Sequence, residues 1–318
     1  MRGQGRKSPG RDECVVGPIV SKMMQTGIFK KTVWPGARLL VLTGTLCALL
    51  TSMSVVADSS TTKEEDSTGT HQDKTPRAGE NYQPDNALGA ISAAREEAAK
   101  NGQQLLVIMG ANWCHDSRAL ATRIERSPLK PVIEAHYQAV FVDVGNLDKG
   151  KDVITSFGIP VYYATPTVLI IDPVSGKVVN GDNRHQWGNA ANISMEDSVA
   201  YFQQMATAEP VMTGDENDST GELSSLLAEI DNFEQEQANR VYRGYAKLAP
   251  MLEAYNTGDR DKFSDKIWNE VRDFRSRIPT DIAALHLEAR QRVAAGETGI
   301  KLKYPEYPPF SWEERRRK

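Results

Sequence analysis

Leu105-Leu-Val-Ile-Met-Gly-Ala-Asn-Trp-Cys-His-Asp-Ser117 decides the fold of this chain. The apolar run Gln104 to Met109 is short enough for a buried strand. Gly110 to Trp113 are small or loop-forming, and a helical pattern resumes from Ser117 to about Arg126, before Pro128. Strand, tight loop, cysteine, helix is an arrangement that makes a thiol reactive. A cysteine at a helix start faces unpaired backbone N–H groups and the positive end of the helix dipole, and both favour thiolate. Thiolate is the attacking species in disulfide exchange.

Working outward, Ala87 to Lys100 spaces alanines, Leu88 and Ile91 as a helix and stops at Asn101-Gly102. Ala139 to Val144 is a second strand and Thr167 to Ile171 a third. A turn at Asp172 to Gly176 leads to a short strand, Lys177 to Val179, and a helix from Met195 to about Ala208 closes the unit. Strands alternating with helices, ending in a hairpin, predict an α/β mixed sheet flanked by helices over residues 84–209.

Residues 210–318 change character. Leu223, Leu226, Leu227, Ile230 and Phe233 recur at three-and-four spacing, as do Val241, Tyr245, Leu248 and Leu252. A second helix is expected from about Arg260 to Arg277, and a third after Pro279 through Ile282, Leu285 and Val293 to Gly296. This is an all-helical C-terminal region, either a separate unit or a cap on the first. It carries no catalytic motif. The chain finishes in an aromatic–proline strip, Tyr304 to Trp312, suited to docking on the body or on a partner.

The N-terminal side reads differently. Residues 1–57 carry a basic lead (Lys30, Lys31, Arg38), an apolar core of about a dozen residues from Leu39 to Leu50, and small residues to Ala57. That is the anatomy of an export signal. An uncleaved anchor through residues 39–57 is the alternative, and it reaches the roughly 20 residues of a membrane span only if its Thr and Ser are counted. Periplasmic or other extracytoplasmic placement follows from either. Residues 58–83 are almost devoid of apolar side chains and read as a disordered tether.

Residues 1–57 hold eight Lys/Arg and two Asp/Glu, so the remainder keeps 30 basic and 40 acidic residues, a net charge near −10. That argues against nucleic acid or an anionic membrane as partner. Cys14 and Cys47 lie in the same segment, which leaves Cys114 as the one cysteine beyond it. An internal disulfide in the exported part is excluded, and a reactive or intermolecular role is invited.

These residues resemble the thioredoxin superfamily. The likeness rests on Leu105 to Ser117, the Val140 to Val144 strand and Ala164-Thr-Pro-Thr-Val-Leu-Ile-Ile171, and it covers about residues 85–208. It implies a thioredoxin-like fold with Pro166 as a cis proline facing Cys114. Thr165 would then present its backbone to a bound peptide or disulfide. Two departures stand out: Ser117 occupies the place of the second cysteine, and Ile108 that of a buried aspartate which would deprotonate it. The resemblance implies a monothiol thiol–disulfide oxidoreductase, Cys114 forming mixed disulfides with a disulfide- or thiol-containing protein or a small thiol.

In that reading Ser117 donates to the Cys114 sulfur, Trp113 packs beside it, and His115 and Asp116 tune it. Two rivals stay open: a non-catalytic module gripping an exported client in the same groove, and metal delivery. Cys114 and His115 supply two ligands, and Asp116, His136 or His185 would have to converge on them, so no metal or cofactor is expected. His115 and Asp116 have a plainer reading as exposed polar residues at a helix start, Asp116 complementing the dipole.

Overall fold

The computed structural model describes residues 81–82, 86–181, 183–210 and 221–314. The expected signal and nearly all of the expected tether lie outside these residues. Among the described residues no helix is long and apolar enough to cross a membrane.

The elements follow the expected order: α1 (Ala87–Asn101), β1 (Gln104–Gly110), α2 (His115–Ile124), α3 (Leu129–His136), β2 (Tyr137–Asp143), α4 (Lys151–Ser156), β3 (Thr167–Ile171) and α5 (Met195–Met205). Gly102, left-handed at φ 66°, stops α1, and Ser194 caps α5 by accepting from the Asp197 N–H. The sheet order is β2-β1-β3, with β1 parallel to β2 and antiparallel to β3. The strand expected at 177–179 is reduced to one bridge, Val178 to Ile171. Two helices escaped sequence reading, α3 and α4. Both are short, at eight and six residues, and too brief to show a full helical period.

Strand β1 is central and buried on both faces, which its unbroken apolar run anticipates. Leu105, Val107 and Met109 join one core with Ile91, Ile154 and Ile171. Leu106 and Ile108 join the other with Leu120, Ile133, Trp187 and Phe202. The period of two along the strand thus assigns alternate side chains to two helical layers.

The C-terminal region is a hairpin of two long helices, α6 (Gly221–Asn256) and α7 (Asp265–Ala294). Gly244 lets them close: a Cβ there would stand 2.9 Å from both Cγ atoms of Val271. Pro279 does not separate two helices, as its chemistry suggested, but lies inside α7. One lost N–H is outweighed by a continuous apolar stripe (Val271, Phe274, Ile278, Ile282, Leu285) that is buried along α7. The hairpin shares the first core, so it covers that face of the sheet. Tyr245 Oη donates to the Tyr162 carbonyl at 2.6 Å, and the two rings stack at 5.2 Å.

The aromatic–proline strip docks on this hairpin. Phe310 is buried against Phe274, Tyr307 Oη donates to Asp281, and Arg240 donates to the Pro308 carbonyl. Ser311–Glu314 then forms a final turn, α8.

Candidate functional site

Cys114 sits at the N-cap of α2, with extended backbone (φ −76°, ψ 125°). The helix therefore begins immediately after the sulfur-bearing residue, as the motif anticipates. Its Sγ donates to the Thr165 carbonyl at 3.3 Å and lies 3.8 Å from Thr165 Oγ1. The Thr165–Pro166 peptide is cis. The thiol and the loop before β3 are thus brought together from positions about fifty residues apart. Cys114 is 2 % exposed and Thr165 1 %, so the pair is covered as well as close.

Tight packing beneath the loop fixes Ser117. It is fully buried, and its Oγ accepts from the Ala111 N–H at 3.3 Å. A Cβ at Gly110 would lie 2.6 Å from that Oγ and 2.7 Å from the Tyr82 ring, so only glycine fits at the strand end. Tyr82 itself corrects the expected tether. It falls within the stretch that reads as a disordered tether to residue 83, yet it is 2 % exposed, packs edge-on against Phe141, and donates to the Ser117 carbonyl. An aromatic ring with a satisfied hydroxyl gains more from burial than its polar neighbours lose in freedom. Burial, with Cys114 nearby adding to the effect, raises the Tyr82 hydroxyl far above the ordinary tyrosine range, so it stays a neutral donor.

Asp116 also departs from expectation. The exposed position assigned to it is wrong: it is 1 % exposed, and its Oδ1 accepts from the Ala191 N–H at 2.8 Å. It ties α2 to the 3₁₀ segment Gln186–Asn192. A buried carboxylate persists where it meets a donor of this kind. Replacing it with alanine strips that N–H of its partner, and Asp116→Ala is expected to cost about 1–3 kcal/mol. A urea midpoint that does not move at constant slope would refute this. His115, by contrast, is exposed as expected.

Trp113 is half-buried. Its Nε1 donates to the Gly145 carbonyl at 2.7 Å, and its ring stands edge-on to Trp268 of α7 at 6.4 Å. Arg118 closes the loop from the other side by donating to the carbonyls of Asn112 and Trp113, both at 2.8 Å. At the base of the loop burial raises the Asp143 carboxyl above its usual range, opposed by the Gly145 N–H. Among the described residues no group of three or more His, Cys, Asp and Glu stands close enough to share a metal ion.

An open cleft runs from the Thr165 loop along α7. It is lined by Tyr163, Ala164, Thr165, His185 and Gly188 from the thioredoxin-like domain and by Arg272, Arg275, Ser276, Pro279 and Thr280 from α7. These α7 residues were missed by sequence reading. They fit an amphipathic helix, and no local pattern marks a helix face as the wall of a site on another element.

Residues 86–173 match a family model described as thioredoxin-like. No curated protein matches the chain. A solved structure described as disulphide isomerase from Xylella fastidiosa Temecula1 is 26% identical, and the match covers 38% of this chain and 91% of that one, with a TM-score of 0.34. The domain that holds Cys114 and cis-Pro166 is thus thioredoxin-like over residues 86–173.

Proposed function

We propose that the protein is an exported thiol–disulfide exchange protein that works through a single thiol, Cys114. The observation that carries this reading is the placement of Cys114 Sγ at the start of α2, 3.3 Å from the carbonyl before cis-Pro166. The helix start supplies backbone N–H groups to a thiolate. The Thr165 carbonyl, which accepts from the thiol at rest, is released when a client sulfur takes its place.

The step balances simply. Cys114 thiolate attacks one sulfur of a client disulfide, a Cys114–client S–S bond forms, and the other client sulfur leaves as a thiolate that takes up a proton. With serine at position 117, the motif itself offers no second thiol to resolve the mixed disulfide. A thiol from another molecule, the client's own released thiol included, completes the cycle. Isomerisation and removal of small-thiol adducts have this form, whereas net reduction by this chain alone does not. Export rests on the apolar segment 39–57 and its basic lead.

The burial of Cys114 favours a second reading, a module that grips its client without turnover. Titration of the full chain with neutral 2,2′-dithiodipyridine separates the two. The chain is expected to release one more equivalent of thione than Cys114→Ser, with the adduct mapped to Cys114 by mass spectrometry. Equal release from both proteins in the native state would sink exchange and leave the gripping module.

A further inference from the structure

The wall of the cleft facing the Thr165 loop belongs to the helical hairpin. Arg272 and Arg275 lie one turn apart on α7, and so project from the same side of the helix. Tyr163, Thr165 and His185 line the same cleft from the thioredoxin-like domain. No Asp or Glu is found among the described residues lining the cleft, in a chain whose net charge is −4. The arginines are held differently. Arg275 is 4 % exposed, donates to Tyr245 Oη at 3.2 Å and lies over the rings of Tyr245 and Trp268. Arg272 is partly exposed and paired with its sequence neighbour Asp273 at 3.0 Å. Such surface pairs are worth about 0–1 kcal/mol, so an incoming carboxylate can displace Asp273. Glu234 does not line the cleft, and its carboxylate accepts from Tyr163 Oη at 2.9 Å.

We propose that this cleft selects disulfides flanked by carboxylates, with α7 reading the charge while Cys114 performs the exchange. The inference rests on the exchange reading above and names its substrate class. Cys114 does not itself line the cleft, but Thr165 does, and its carbonyl accepts from Cys114 Sγ at 3.3 Å, so the thiol and the cleft share Thr165 as a direct neighbour. A planar guanidinium meets a carboxylate with two parallel N–H···O bonds, which fits acidic groups better than any neutral partner. The carboxylates can come from acidic residues within a few positions of a client cysteine or from a small acidic disulfide. Both present the same chemistry.

The test uses short peptides whose single cysteine carries a 2-thiopyridyl group. Cys114 thiolate attacks the peptide sulfur, forms the mixed disulfide and expels pyridine-2-thiolate, which takes up the proton that the thiol gave up and is read as pyridine-2-thione. Rates for the full chain are corrected by those of Cys114→Ser. A peptide with glutamates beside its cysteine is expected to react at least about tenfold faster than one with lysines. Added salt and Arg272→Gln should each shrink that ratio by about threefold or more. A small disulfide with two carboxylates, set against bis(2-hydroxyethyl) disulfide, identifies the source. Preference for its acidic member means the cleft takes small disulfides, and preference confined to peptides means it reads a protein segment.

Equal rates for acidic and basic peptides overturn the inference while leaving exchange intact. If no peptide reacts at Cys114, exchange itself fails, and the charge preference is then read by binding. Acidic and basic peptides with serine in place of cysteine are titrated into the full chain by NMR. Tighter binding of the acidic peptide, weakened in Arg272→Gln, supports the cleft assignment, and indifference to charge refutes it.

Discussion

Trp187→Ala is expected to destabilise the thioredoxin-like domain by about 3–5 kcal/mol, the largest loss among single changes outside the sheet. Trp187 is 1 % exposed. Its ring stacks on Phe202 at 5.2 Å and meets Tyr201 edge-on at 5.1 Å. Phe202 in turn packs edge-on against Tyr137 at the start of β2. Removing the indole opens a cavity between the 3₁₀ segment, α5 and the sheet, and three aromatic rings in contact cannot all relax into it. Urea unfolding followed by far-UV circular dichroism measures the change. A shift under about 1 kcal/mol would mean that this segment packs loosely, contrary to its burial.

The same substitution reaches the thiol by a definite route. Trp187 anchors Gln186–Asn192, and Ala191 in that segment donates to buried Asp116, two residues after Cys114. Loosening the segment therefore withdraws support from the first turn of α2. Asp116→Ala breaks the same link from the other end. The two changes share a partner, so their effects on stability should fall short of additive.

The strand–loop–helix around Cys114 was legible because it depends on local rules, whereas cis-Pro166 was expected only through the family resemblance. A six-residue apolar run specifies a buried strand, and the small-residue loop after it allows a sharp turn. The role of Asp116 was not legible. A carboxylate in the first helical turn normally complements the dipole from the surface, and nothing nearby in sequence announces that Ala191 will approach it. Tyr82 was hidden for a related reason. It lies in a polar stretch, and its pocket is formed by Gly110, Ser117 and Phe141, all distant in sequence. Pro279 shows the opposite failure, a strong local rule overridden by a long buried stripe on α7. The arginine wall combines these effects, since a helix from outside the domain completes a cleft whose chemistry lies inside it.

Ser117→Cys is expected to change the chemistry of the site more than any other single replacement. Ser117 follows Cys114 by one turn of α2, on the same side of the helix, and is buried beneath the loop. A thiol there can attack the Cys114 sulfur of a mixed disulfide, expel the client thiol and close an internal disulfide. Two electrons then pass to the client, so the chain becomes a reductant that must itself be reduced afterwards. An intramolecular thiol acts at an effective concentration of millimolar or more, so the mixed disulfide should shorten its lifetime by about a hundredfold. Ile108 limits the gain. No carboxylate stands in that buried position to take the new thiol's proton. Resolution should therefore quicken as pH rises toward the ordinary thiol value of about 8.5. Quenched-flow trapping across pH, with free thiols counted before and after oxidation, measures both effects. A mixed disulfide that persists in the variant, with both thiols still free after oxidation, would mean that position 117 cannot reach the sulfur and that serine there does not by itself make the site monothiol.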